Sequence, residues 1–302
     1  MCPVMARLRA MRHLYRWMGN AMERIQLDRR AFERCGYAVI DPLQVDLERL
    51  KRFPLESLAP ATHAEWASQL PYALHLNTLG VADRDDLFVE IVDRESAGEE
   101  PLFCLLIESS HTPGSVIRHL RRATIVHSPA ERKPYHLRYH DAYTLMQLCW
   151  ILDKDQRKVL MGPSSAWLFP LERWRRLRPD AGALVTPGLR LRDDQWQQLQ
   201  RVGTINVALE RLGTSVDQRT AFGKQLDSWL VFAGAFGLTD EEDTIAFAMQ
   251  GVTRHPEFHR HRIIARILAQ CEGRPRRYSR VTLGLSEADW QRIATDLSSP
   301  SV

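Results

Sequence analysis

The chain reads as an α/β N-terminal domain, a small sheet flanked by helices, followed by an all-α C-terminal domain. Three observations carry that reading. From Tyr37 to Phe169, short apolar runs alternate with amphipathic segments, the pattern of a sheet covered by helices. Pro179, Gly182, Pro187 and Gly188 then break the pattern inside RPDAGALVTPGLRL, as a loop or a small hairpin would. Beyond Asp193 only helical periodicity remains. The boundaries that follow are 36–172 for the α/β domain, 173–192 for a linker or hairpin, and 193–302 for the helical domain. Residues 1–35 stand apart as an amphipathic, basic N-terminal helix.

Within that first segment, Leu8, Met11, Tyr15, Met18, Met22 and Ile25 recur at helical spacing and form one apolar seam. A methionine-rich stripe is soft and adapts to an irregular partner, so Met11, Tyr15, Met18 and Met22 are the candidate partner-binding residues. Four strands are expected at 37–41, 72–76, 102–108 and 135–139, where β-branched, aromatic and leucine side chains cluster. Helices are expected at 61–70, roughly 84–95, 114–126 and 142–152. The third starts at Thr112-Pro113, since proline suits the first helical position. A second short helix and an aromatic strand holding Trp167 and Phe169 complete the domain. The last third reads as helices near 193–212, 216–236, 240–252, 257–271 and 286–297, with Thr239 ahead of three acids resembling a capping box.

Composition is that of a folded protein: 302 residues, 44% hydrophobic and 26% charged. No apolar run reaches the roughly 20 residues of a membrane span. The basic start is interrupted by Arg7, Arg9, Arg12 and Arg16, unlike the unbroken apolar core of a secretory signal. A cytoplasmic protein without membrane insertion is expected. The five cysteines are scattered with no CxxC pair, which argues against a metal or redox motif, and Cys104 and Cys149, set in apolar runs, read as buried thiols. Residues 1–34 hold eight arginines against Glu23, Asp28 and Glu33. Arg274, Arg276, Arg277 and Arg280 form a second basic cluster. Both suit either a solvated helix face or contact with nucleic acid.

Catalytic constellations are not evident. His255, His259 and His261 are the densest histidine cluster, but Pro256 and flanking arginines disfavour a metal, and there is no HExxH. Ser109-Ser110-His111 lacks a GxSxG elbow, and neighbouring strand side chains face opposite ways. No Walker A or GxGxxG loop exists to hold a nucleotide. Asp85-Asp86, Glu99-Glu100 and Glu241-Glu242-Asp243 suit solvated or capping roles. The chain is therefore expected to be non-enzymatic, without cofactor or metal.

Two compact signatures remain, Leu137-Arg138-Tyr139-His140-Asp141 and Gly162-Pro163 ahead of Trp167. Asp141 stands where a helix begins and can cap Tyr143 or Thr144 N–H groups. An ion pair between Arg138 and Asp141 is geometrically open. Gly162-Pro163 reads as a turn that stops a helix and aims Trp167 at the core. In order and spacing these elements resemble the DUF4123 family. Tyr37-Ala38-Val39-Ile40-Asp41 is similar to its opening strand, and His119-Leu120-Arg121-Arg122 to an HLRR-like run. Residues 137–141 are similar to an FRFYD-like element and Met161-Gly162-Pro163 to an FGP turn. Phe236-Gly237-Leu238 and Phe258, near His255-Pro256, extend the resemblance to about residue 270. The sequence departs at Ala142, where the family has proline, and at Met161, where it has an aromatic.

The resemblance implies a non-enzymatic adaptor chaperone. Such a protein binds a cognate type VI secretion effector in the bacterial cytoplasm and assists its loading onto the VgrG spike, with or without a PAAR tip. It makes Arg138, Tyr139, Asp141, Gly162, Pro163 and Trp167 family-motif residues, expected to be structural. The alternative is a nucleic-acid-binding regulator using the Arg-rich N-terminal helix, and the third reading is an enzyme whose site is assembled from distant residues.

Overall fold

A computed structural model describes residues 22–179, 188–271 and 274–299, which divide into two compact units after Gln197. The first unit is built on one seven-stranded sheet. Its strands are β1 (Met22–Arg24), β2 (Tyr37–Ile40), β3 (Leu55–Ser57), β4 (Tyr72–His75), β5 (Leu105–Glu108), β8 (Ala166–Pro170) and β9 (Trp174–Leu177). They lie in the order β1-β9-β8-β5-β2-β4-β3. Every pairing is antiparallel. β6 (Ile125–His127) and β7 (Pro134–His136) make a separate two-stranded ribbon.

Central and edge strands differ as their sequences demand. All four residues of β2 are buried, which fits a strand covered on both faces. The edges β1 and β3 are three residues long and read MER and LES; short charged edges discourage pairing with other chains. Alternate residues sort to the two faces. Ala38, Ile40, Leu106 and Leu168 join one core with Phe32, Leu87, Ile91, Phe103 and Trp174. Val39, Ile107, Trp167 and Phe169 take the alternate positions and are fully buried as well.

The helices of this unit are α1 (Arg29–Glu33), α2 (Val81–Ala97), α3 (Pro113–Ala123), α4 (Ala142–Ile151) and α5 (Lys154–Met161), with α6 (Asp193–Gln200) at its end. Thr112 is the N-cap residue of α3, with Pro113 inside its first turn. Asp153 and Gln156 close a capping box on α5.

Several expectations change. Met22–Arg24 is a strand paired with Arg175–Leu177, so the helical seam does not run through Met22 and Ile25; main-chain pairing with β9 overrides the side-chain spacing. Met11, Tyr15 and Met18 lie outside the described residues. Residues 61–70 yield only a 3₁₀ turn, Ala61–Trp66. The expected strand at 135–139 stops at His136. The linker or hairpin expected from Arg173 starts instead with β9, which turns back on β8 and extends the sheet to Leu177. Arg175 and Arg176 disguise that strand in sequence. Both are buried, and the Arg176 guanidinium lies 3.4 Å from Glu108 and 3.6 Å from Glu23.

The second unit is helical throughout its described residues: α7 (Val202–Arg211), α8 (Val216–Ala235), α9 (Glu241–Thr253), α10 (Arg262–Ala269), α11 (Arg277–Leu283) and α12 (Glu287–Ser298). Phe247, Phe258, Ile264, Leu268, Tyr278 and Trp290 form its core. The expected helix 193–212 is two helices meeting at Arg201, whose guanidinium bonds Asp227 at 2.7 Å. Asp240, not Thr239, caps α9 by accepting from the Glu242 and Asp243 N–H groups. Helix α11, inside the basic cluster, is missed by hydrophobic spacing because RYSRVTL buries only Tyr278 and Thr282.

Candidate functional site

The two signatures meet in the first unit, at a junction where α3, the loop after β7, the α5 end and β8 converge. Gly162 ends α5 at φ +56° and ψ −125°, a conformation suited to glycine. A Cβ there would overlap the His119 ring, which donates from Nε2 to the Leu160 carbonyl at 2.8 Å. Burial holds the His119 pKa below the usual histidine range, and the Arg122 charge adds to this. The Ser109 hydroxyl donates to the Pro163 carbonyl at 2.7 Å, fixing the turn to the end of β5. Past the turn, Trp167 is fully buried and donates from Nε1 to Ser164 Oγ at 2.9 Å. Its ring lies 5.4 Å from that of Tyr139, whose hydroxyl donates to the Leu120 carbonyl at 3.2 Å. Asp141 Oδ1 accepts from the Thr144 N–H at 2.6 Å and caps α4. These motif residues are spent on holding four segments together.

Arg138 goes elsewhere. Its guanidinium pairs at 3.2 Å with Asp41, at the end of β2, and not with Asp141. Asp41 is 2% exposed and also accepts from the Leu43 N–H at 2.9 Å, with His140 Nε2 3.5 Å away. Burial alone would raise the Asp41 pKa. Hydrogen bonds from His140 and Leu43, with the charges of His140 and Arg138, bring it below the ordinary carboxylate value. The His136 and His140 rings lie 5.9 Å apart. Burial, followed by the charges of His140 and Arg138, brings the His136 pKa down to about 4.

Cys104 completes a cysteine, histidine and aspartate grouping beside this node. Its thiol donates to the Val39 carbonyl at 3.1 Å. Burial raises its pKa and the Asp41 charge raises it further. A nucleophilic cysteine needs the opposite shift, so Cys104 is held as a neutral thiol.

Cys104, His140 and Asp141 also line a cleft of about 340 Å³, at the small end of the range for ligand sites. Its walls come from the end of α2, the turn between β8 and β9, and the start of α4. Apolar side chains including Ile91, Leu102 and Trp174 line it, and Glu95, Glu99, Glu100, Asp141 and Glu172 supply carboxylates; among the described residues no arginine or lysine lines it. The His140 ring is 1% exposed and its Nδ1 has no hydrogen-bond partner among the described residues.

The histidine cluster of the second unit divides its labour. His255 Nδ1 accepts from the Glu257 N–H, His261 Nδ1 from the Ile263 N–H, and His259 lies among Trp229, Phe232 and Phe236. Among the described residues, no group of three or more His, Cys, Asp or Glu side chains is placed to hold a metal ion. No described helix is long and apolar enough to cross a membrane.

Sequence reasoning located the motif junction but missed Asp41 and the cleft. The signals available were an aspartate ending a buried strand and the Glu99-Glu100 pair past a helix end.

Fold and site together define an antiparallel sheet domain whose signature residues serve as structural ties around a small acidic cleft. Residues 37–159 match the family described as "Domain of unknown function (DUF4123)". That span runs from the start of β2 into α5. No curated protein and no solved structure matches the chain.

Proposed function

We propose that this protein is a non-enzymatic adaptor chaperone that binds a cognate type VI secretion effector and assists its loading onto the VgrG spike, with or without a PAAR tip, in the bacterial cytoplasm. The observation that carries the reading is the match over 37–159 to the family that the motifs resemble. The geometry agrees with a binding role. Tyr139, Gly162 and Trp167 hold the frame, Cys104 is locked as a thiol, and an open cleft stands beside them.

Affinity purification of the tagged protein from its native host, followed by mass spectrometry, tests this. Near-stoichiometric recovery of a large secreted toxin or a spike protein supports the adaptor. Recovery of nucleic acid alone under gentle salt overturns it.

A further inference from the structure

We propose that the cleft at the end of α2 is a docking site for a basic segment of the partner protein, with an arginine or lysine side chain seated between Glu95, Glu100 and Glu172.

The charge placement is the first argument. Helix α2 ends at Gly98, which adopts φ +68° and returns its N–H to the Glu95 carbonyl. A helix C-terminus is the negative end of the macrodipole, where cations are favoured and carboxylates cost stability. Glu95, Glu99 and Glu100 crowd that end, and Glu172 faces the same cleft. Of these, Glu99 lies 3.4 Å from Arg94. Glu95, Glu100 and Glu172 have no ion pair among the described residues. Arg94, in the last turn, donates to the Glu100 carbonyl at 2.8 Å and offsets part of this charge; the carboxylates left over break a local rule, as functional positions do.

The second argument is independent of charge. His140 is 1% exposed, lines the same cleft, and leaves Nδ1 without a partner among the described residues. Buried polar atoms are normally satisfied, so an orphan at a cleft wall points to a ligand. The third is shape. Ile91, Leu102 and Trp174 give the cleft an apolar lining beneath acidic walls, which suits the aliphatic stem and charged head of arginine or lysine. Tyr143, also in the lining and 41% exposed, offers a ring beside it. A cationic peptide satisfies every one of these features; a nucleic acid backbone would be repelled.

The identity of the partner rests on the adaptor reading, but binding at the cleft does not. The test uses the full chain and a fluorescein-labelled peptide of alternating arginine and leucine, read by anisotropy. The triple variant Glu95→Lys, Glu100→Lys, Glu172→Lys changes exposed side chains and should fold. It is expected to lose at least tenfold in affinity. The same charge change placed elsewhere, Glu65→Lys, Asp155→Lys, Glu210→Lys, is expected to lose less than threefold. Equal losses in the two triples would show only general charge attraction and overturn the site. Unchanged binding in the cleft triple also overturns it. If deleting residues 1–21 tightens peptide binding tenfold, the occupant is the chain's own arginine-rich start, and the partner proposal is wrong. Purification from the host separates the two claims. When the wild type recovers an effector and the cleft triple recovers it equally, the cleft fails and the adaptor stands. When the wild type recovers none but the peptide result holds, the adaptor reading fails and the cleft stands.

Discussion

One five-residue signature, Leu137 to Asp141, serves two regions of opposite character. Tyr139 turns into the junction of α3, α5 and β8, where its ring meets Trp167 and its hydroxyl meets the Leu120 carbonyl. Its neighbour His140 lines the cleft, and its Nδ1 has no hydrogen-bond partner among the described residues. At the junction, Tyr139 and Trp167 each have a hydrogen-bond partner; at the cleft, Glu95, Glu100 and Glu172 have no ion pair among the described residues. Departures from local rules are expected at functional or strained sites. The comparison therefore separates residues that keep the shape from residues that meet something, and mutations should divide the same way.

The largest effect is expected at Trp167. It is fully buried and tied to Ser164, and truncating a buried aromatic costs about 3–5 kcal/mol. Trp167→Ala should lower the denaturant midpoint strongly in urea unfolding. A loss under about 1 kcal/mol would mean that the junction does not hold the fold.

Gly162→Ala comes next. A non-glycine residue in a sparsely populated backbone region costs about 1–3 kcal/mol, and here the added Cβ also meets the His119 ring. Pairing the change with His119→Ala should recover part of the loss, since the smaller side chain removes the overlap. Strictly additive losses would place the strain in the backbone alone.

A pH scan probes the histidines between the two regions. The native His136 pKa lies near 4, against about 6.5 in an unfolded chain. Native His136 therefore refuses a proton that the unfolded chain accepts, so its contribution to stability is full above about pH 6.5. That contribution is lost as pH falls toward about 4. Asp41 acts in a separate window: its lowered pKa stabilises above the unfolded carboxylate value and is lost at more acidic pH. His136→Asn should thus flatten the fall in melting temperature between about pH 6.5 and 4.5 while leaving the steeper acid limb. His75, His119 and His259, also lowered by burial, remain in both proteins, so the difference between the curves is the readout.

How much of this was legible in sequence depended on distance along the chain. Asp141 as a cap and Gly162-Pro163 as a helix stop are local events, and hydrogen bonds three and four residues apart settle them. The partner of Arg138 was not legible. Asp141 is three residues away and Asp41 ninety-seven, and only the tertiary fold brings the second one near. β9 was hidden because two of its four residues are arginines, and the Arg176 partners Glu23 and Glu108 come from other strands. The apolar spacing at Met22 was helical by period, yet main-chain pairing with β9 decided the outcome. Glu99-Glu100 was visible as an acidic pair. That it shares a cleft with Glu172 and His140 needs the sheet, the β8–β9 turn and the α2 end together.

The smallest effect carries the sharpest form of the comparison, because its sign should reverse. Glu95 and Glu100 stand at the negative end of α2. Replacing a carboxylate there by a cation removes repulsion and adds attraction to the helix dipole, about 0.3–1 kcal/mol per site. Glu95→Lys, Glu100→Lys should therefore raise the melting temperature slightly at low salt, with the gain shrinking as salt screens it. The junction variants lose stability first and any binding with it. The cleft variant should gain stability while losing the basic peptide, which a merely structural role for these glutamates does not predict. A cleft variant that melts below the wild type would assign the carboxylates to the fold and erase the distinction between the two regions.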